Sequence, residues 1–131
     1  MGKLTPGATL PVSKYDICVP GYAGHARNVP QSVKEQAYES YGITSREPGE
    51  YEVDHLISLE LGGSNDTKNL WPQSYHGMWN ARIKDGLENR LHELVCMGKL
   101  ELREAQYEIS HNWIQVYCKY MNNTNCNGAS E

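Results

Sequence analysis

An aspartate followed directly by a histidine, Asp54-His55, lies in the stretch Tyr51-Glu52-Val53-Asp54-His55-Leu56-Ile57. A carboxylate is a ligand for hard divalent cations and an imidazole is a base near neutral pH, so the pair holds two parts of a metal-assisted hydrolysis. Successive side chains of a strand point to opposite faces. Both can therefore serve one reacting centre only where the strand ends in a twisted loop. Two asparagines downstream, Asn69 and Asn80, are candidates to complete such a centre.

The pattern around these residues predicts the elements that must position them. Glu52 to Leu56 reads as a strand, Ser58 to Gly63 as its continuation into a Gly-Gly turn, and Thr67 to Trp71 as a returning strand, together a β-hairpin with a wide loop. Asn69 then falls across from His55. Its side-chain carbonyl, or the backbone beside it, would accept from one imidazole nitrogen and leave the other free to take a proton. Trp79 to Met97 reads as a helix with Ile83, Leu87, Leu91, Leu94 and Val95 on one apolar stripe, and Asn80 joins that stripe at its first turn. A polar side chain on a buried face needs a partner, because an unsatisfied amide costs about 1–3 kcal/mol. A metal shared with Asp54 would be that partner. Lys84, one turn later, is placed to reach a phosphate, although a lysine followed by Asp85 also suits a solvated pair.

The ordered set resembles a known family. Cys18-Val19-Pro20-Gly21-Tyr22, Asp54 to Gly63, Asn69-Leu70-Trp71-Pro72-Gln73, Lys84-Asp85, Val95 to Leu100 and Ala105-Gln106 are similar to small bacterial, often exported, His-Asn-His (HNH) endonucleases. These belong to the ββα-metal (His-Me finger) superfamily, here in an Asp-His-Asn-Asn form. The similarity spans Ile17 to Tyr120.

The resemblance implies an α+β fold in which a ββα-metal hairpin and helix carry additional flanking helices. It implies that Asp54 and Asn80 are metal ligands, His55 the general base and Asn69 the residue that orients it. Oxygen ligands at both ends of the motif favour Mg²⁺ or Mn²⁺ over Zn²⁺. His76, four residues before Asn80, is the alternative ligand. The implied reaction is hydrolysis of a phosphodiester, with DNA as the expected substrate and 5′-phosphate and 3′-hydroxyl ends as products. Arg27, Arg82, Lys84 and Arg90 are candidate phosphate contacts. An RNA-specific or structure-specific nuclease, and an inactive nucleic-acid-binding or interaction module of the same fold, are the rival readings.

Composition bounds these expectations. The chain of 131 residues suits one domain, with an extended Gly- and Pro-rich arm at 1–16, a nuclease domain at 17–120 and an Asn-rich tail at 121–131. Pro30 to Tyr41 predicts a helix with Ser32 and Glu35 spaced as a capping box, and Leu102 to Tyr120 another with Ala105, Ile109, Trp113, Val116 and Tyr120 on its face. Twelve basic and 16 acidic residues give a net charge of −4. Nucleic-acid binding must then rely on a local cleft and a metal rather than on a basic coat. A monomer without membrane spans is expected.

The start, Met1 to Pro6, is not a signal peptide, so the protein is either cytoplasmic or a mature chain with a replaced start. Cys18, Cys96, Cys118 and Cys126 include no CxxC pair, which argues against a zinc knuckle and allows two disulfides. Cys18 and Cys96 both sit in motifs of the resembling family. We expect them to pair, with Cys118 to Cys126 closing the tail, in a periplasmic or secreted protein; four reduced thiols in the cytoplasm is the alternative.

Overall fold

The computed structural model describes residues 3–121. Its elements follow in the order α1 (Lys14–Ile17), α2 (Tyr22–Ala26), α3 (Gln31–Ser40), β1 (Tyr51–His55), β2 (Leu70–Ser74), α4 (Ala81–Cys96) and α5 (Leu102–Met121). The expected α+β class is observed, as a two-stranded antiparallel sheet and five helices among the described residues. In the sheet Tyr51 faces Ser74, Val53 faces Pro72 and His55 faces Leu70. Both strands are edges, so Pro72, which lacks a donor, is tolerated in β2.

The connection between the strands differs from the sequence expectation. Ser58 to Gly63 does not continue the strand: it forms a 3₁₀ turn at Leu59–Leu61, with Ser58 Oγ accepting from Glu60 N at 3.2 Å and Gly62 at φ 81° ending it. A second 3₁₀ turn, Thr67–Asn69, is capped by Asp66, which accepts from Lys68 N at 2.8 Å. Ser and Asp side chains bonding the backbone two residues on divert the chain into turns, so the returning strand starts only at Leu70. Gly63 lies against the chain so closely that a Cβ there would sit 1.7 Å from the Ile57 carbonyl oxygen.

The arm straps this connection. Gly7 N donates to Lys68 O at 2.9 Å, Leu10 N to Gly62 O at 2.8 Å and Ser64 N to Ala8 O at 2.9 Å. The arm ends at α1, whose capping box of Ser13 and Asp16 starts a turn inside the stretch expected to be extended throughout. Neither α1 nor α2 is legible in the hydrophobic pattern, being one turn each. In α3 the expected box of Ser32 and Glu35 is not formed. Pro30 stands at the cap position, and Glu35 accepts instead from Gln31 and Arg46, each at 2.9 Å.

The core lies between α4 and α5. Leu87, Leu91 and Val95 are fully buried against Ala105, Ile109 and Trp113, with Ile17 and Leu61 completing the cluster. Ile83 and Leu94, also on the predicted stripe, are half-buried. Trp79, just before α4, meets Trp113 and Tyr117 edge-on at 6.0 and 5.6 Å. Helix α5 is interrupted at Asn112, whose φ of −160° and ψ of 77° are not helical.

Cys18 and Cys96 form a disulfide across 78 residues, joining the end of α1 to the end of α4. The expected partner of Cys118, Cys126, lies outside the described residues. A crosslink over a loop of this length is worth about 2–4 kcal/mol, mostly by restricting the unfolded chain. Reduction is therefore expected to lower the melting temperature by roughly 5–15 °C. An unchanged thermal transition after complete reduction would remove the bridge from the stability of the fold.

Candidate functional site

Strand β1 ends at the site. Glu52 and Asp54, two residues apart, share one face of the strand, and Asp85 comes to them from the first turns of α4. One carboxylate oxygen from each of the three lies within 4.8 Å of the others. They line a cleft of about 350 Å³ together with Arg27, His55 and Glu88.

His55 is 3% exposed. Burial is the largest influence on it and lowers the imidazole below its ordinary range, helped by Arg27 and Lys84 and opposed by a hydrogen bond to Asn65 and the charge of Asp54. The imidazole is thus held neutral, the form a base requires. Its Nε2 lies 3.0 Å from Asn65 Oδ1. The amide of Asn65 is oriented from its other end, because Nδ2 donates to the Ala26 carbonyl at 2.8 Å while Oδ1 also accepts from Asn28 N at 3.2 Å. An oxygen facing Nε2 accepts from it, so the ring proton sits on Nε2 and the lone pair on Nδ1.

The asparagine that bonds the His55 imidazole is therefore Asn65 and not Asn69. Asn69, fully buried, faces Leu56 rather than His55, and its side chain staples the loop: Oδ1 accepts from Ile57 N at 2.9 Å, and Nδ2 donates to Ile57 O at 2.9 Å and Ser64 O at 2.8 Å. The one-residue difference in register follows from the late start of β2.

Asn80 is also placed differently from expectation. It is the N-cap of α4, with Oδ1 accepting from Ile83 N at 3.1 Å and Nδ2 donating to Gly77 O at 2.9 Å, and it does not line the cleft. Its amide finds the partners it needs in the backbone, so no metal is required to satisfy it. His76 is exposed, and its backbone N bonds Ser74 Oγ at 2.9 Å; it too lies outside the cleft lining.

Lys84 is wholly buried and so is neither a solvent-facing phosphate contact nor half of a solvated pair. Its Nζ donates to Glu88 Oε2 at 2.6 Å and to the His55 carbonyl at 2.8 Å, and lies 3.3 Å from Asp54 Oδ2. Burial alone would lower its pKa, but the charges of Asp54 and Glu88 outweigh that and hold it well above the usual lysine range. Of the remaining cations, Arg27 is exposed at the cleft, Arg82 lies over the Tyr75 ring at 5.8 Å and Arg90 pairs with Glu93.

The carboxylates suit a hard cation. Glu52 Oε2 and Asp54 Oδ2 are buried without a hydrogen-bond partner, although Asp54 Oδ2 is close to Nζ of Lys84. Burial, first, and then the charge of Asp54 raise the carboxyls of Glu52 and Asp85 above the ordinary range. The orphaned oxygen of Glu52 and the mutual repulsion of the acids are both relieved by a divalent ion with oxygen preference. Glu52, Asp54 and Asp85 are thus a group able to hold a metal, with Glu88 behind them on Lys84.

Asn65, Asp85 and Glu88 are the site residues that sequence reasoning missed, and Glu52, which the sequence places on the same strand face as Asp54, reads there as structural. The alternation of Glu52 with Asp54 on one strand face was a usable signal, and so was the i, i+4 spacing of Lys84 and Glu88. Nothing local singles out Asn65. Compared with known proteins, the chain matches no family model, no curated protein and no solved structure.

Proposed function

We propose that this chain is a metal-dependent endonuclease of the ββα-metal (HNH) kind, hydrolysing phosphodiester bonds in DNA. The observation that carries the reading is a buried neutral imidazole, with its proton fixed on Nε2 by Asn65, next to three converging carboxylates at a strand end. Glu52, Asp54 and Asp85 would hold Mg²⁺ or Mn²⁺. When bound there, such an ion supplies Lewis-acid stabilisation of charge growing on the phosphate and its leaving oxygen. His55 Nδ1 takes the proton from the attacking water as the oxygen approaches phosphorus in line. Asn65 holds the ring through the step and accepts from the Nε2 proton more strongly as the ring becomes cationic. Lys84 fixes Asp54 from behind and ties it to the His55 carbonyl, which keeps acid and base in register. Arg27, the exposed cation at the cleft, meets the phosphate backbone.

With a net charge of −4 and Arg27 facing five carboxylates at the cleft, binding of nucleic acid rests on that arginine and the metal and should be weak. The Cys18–Cys96 disulfide supports a periplasmic or secreted location, and no helix among the described residues is long and apolar enough to cross a membrane.

The test is digestion of plasmid, linear duplex, single-stranded DNA and RNA with Mg²⁺ or Mn²⁺, against EDTA. Nicking or linearisation of plasmid that EDTA stops is expected. Absence of hydrolysis on all four substrates with either metal would end the reading. A cleavage preference for RNA would keep the chemistry and change the substrate.

The ligand set has its own consequence. Asp54→Asn and Asp85→Asn are each expected to weaken metal binding, read by calorimetry, and to reduce cleavage by at least tenfold, since even a residue that only supports a metal ligand typically contributes about 10–100-fold. Asn80→Ala should remove only a helix cap, costing about 0.5–2 kcal/mol with cleavage retained. A folded, inactive Asn80→Ala protein would overturn the carboxylate assignment.

A further inference from the structure

A second group of metal-ligating side chains lies at the far end of α4, remote in sequence from the acidic cluster. His92 and Cys96 are one turn apart, so their side chains share a helix face, the i, i+4 spacing by which one helix offers two ligands to one ion. His92 Nε2 is 3.6 Å from Cys96 Sγ, and Cys18 brings its sulfur to the same point from the end of α1. The three ligand atoms lie within 4.8 Å of one another. His92 and Cys18 are half-buried and Cys96 is exposed, so the group is reached from solvent.

The two sulfurs are joined as the disulfide, and in that state they offer no thiolate. The backbones, however, are already placed for more than one linkage. A Cα–Cα separation of 5.8 Å holds two cysteines near enough for both sulfurs to bind one ion at about 2.3 Å each, once the bond between them is opened. In the oxidised chain His92 Nε2 donates to the Ile17 carbonyl at 3.0 Å, so ligation through this nitrogen exchanges that hydrogen bond for the metal. The Glu60 carboxylate is close enough to feel the charge of His92 and adds negative potential beside the group.

We propose that Cys18, Cys96 and His92 form a thiolate–imidazole site for a borderline-soft divalent cation such as Zn²⁺ when the disulfide is reduced, so that a metal closes the same loop in the reduced chain. The balance is simple. A dithiol or phosphine reductant supplies two electrons, and with two protons the disulfide becomes two thiols. Binding then displaces both thiol protons to solvent, His92 gives up its bond to the Ile17 carbonyl and moves its ring proton from Nε2 to Nδ1 so that Nε2 can ligate, and water fills the fourth position. The acidic cluster at β1 has oxygen ligands only and selects hard ions, so the two sites take different metals.

The test uses the chain with Cys118→Ser and Cys126→Ser, which leaves these two cysteines as the only thiols. Reduced with a phosphine, it is titrated with Co²⁺ and then Zn²⁺. One Co²⁺ per chain with a thiolate-to-cobalt charge-transfer band is expected, displaced by Zn²⁺ and absent from the oxidised protein, which has the same carboxylates. Zn²⁺ should also restore much of the melting temperature lost on reduction. His92→Ala should weaken Zn²⁺ binding about a hundredfold, one ligand's share of the binding of a structural zinc site, while the oxidised protein, which loses only the bond to Ile17 O, shifts its transition by no more than about 5 °C. No charge-transfer band at any Co²⁺ concentration, or equal Zn²⁺ affinity in His92→Ala, would overturn the proposal. The band is informative even if the reduced chain is partly unfolded, because binding would then drive folding.

Discussion

His55→Ala is expected to lower the rate of phosphodiester hydrolysis by about 10²–10⁴-fold, the usual contribution of a general base. The fold should persist. The imidazole gives up one hydrogen bond, to Asn65, worth about 1 kcal/mol, while Asn65 keeps its bonds to Ala26 O and Asn28 N. Metal binding should persist as well, because the three acids of the cluster are untouched. The separation of these effects is the useful part: calorimetry with Mg²⁺ and circular dichroism report a nearly normal protein, and plasmid nicking reports an inactive one. Added imidazole should restore some of the rate, since the vacated space lies at the cleft and needs only a neutral base. A folded His55→Ala protein that cuts at the parental rate would remove His55 from the mechanism.

The second large effect concerns stability and comes from Lys84. Removing the cation in Lys84→Met leaves the Glu88 and Asp54 carboxylates near one another in a space with almost no water. Breaking a buried pair in this way typically costs about 3–5 kcal/mol. For a domain of this size the fall in melting temperature is roughly 10–20 °C. Glu88 offers an internal check. Its carboxyl is raised well above the ordinary range, by burial first and by the charges of Asp54 and Asp85, against the pull of Lys84. Without Lys84 it should take up a proton, so the variant should recover stability as the pH falls. The sign follows from linkage: a carboxyl whose pKa is higher in the folded than in the unfolded state binds more protons when folded, so stability drops as pH rises between the two values. Lys84→Met/Glu88→Leu should recover part of the loss, because one of the two stranded acids is gone. A single variant as stable as the parent at neutral pH would mean that the buried lysine is not the counter-ion of the site.

The regular elements were legible because their periodicity is strong. The stripe of α4 and the face of α5 follow from side chains spaced by helical turns, and the core indeed forms from Leu87, Leu91, Val95, Ile109 and Trp113. Asp54 and His55 were legible from residue type, and the Cys18–Cys96 bridge from the family resemblance. The partners of Asp54 and His55 were not. Asn65 and Asn69 are four residues apart in one loop, and only the backbone path through two 3₁₀ turns decides which of them meets the imidazole. Asn80 carries two signals, a cap and a ligand, and the cap won because the helix begins one residue after it. Lys84 and Asp85 are adjacent on a helix, about 100° apart, so one turns into the protein while the other reaches the cleft; the sequence does not say which way the helix is rolled.

The tight pass of Gly63 beneath Ile57 bears on how this chain could diverge. A side chain at Gly63 would collide with the Ile57 carbonyl and with the Asn69 amide, which bonds Ile57 and Ser64 with three hydrogen bonds. Both residues serve the shape of the loop and neither touches the reacting atoms. Selection for folding alone would hold them in place in a descendant that had lost the proposed hydrolysis. A motif drawn through Gly63 and Asn69 would therefore gather live enzymes and dead ones alike. Asp85, exposed at the cleft, has no place in that loop, and its retention together with His55 is what would mark a lineage that kept the proposed hydrolysis.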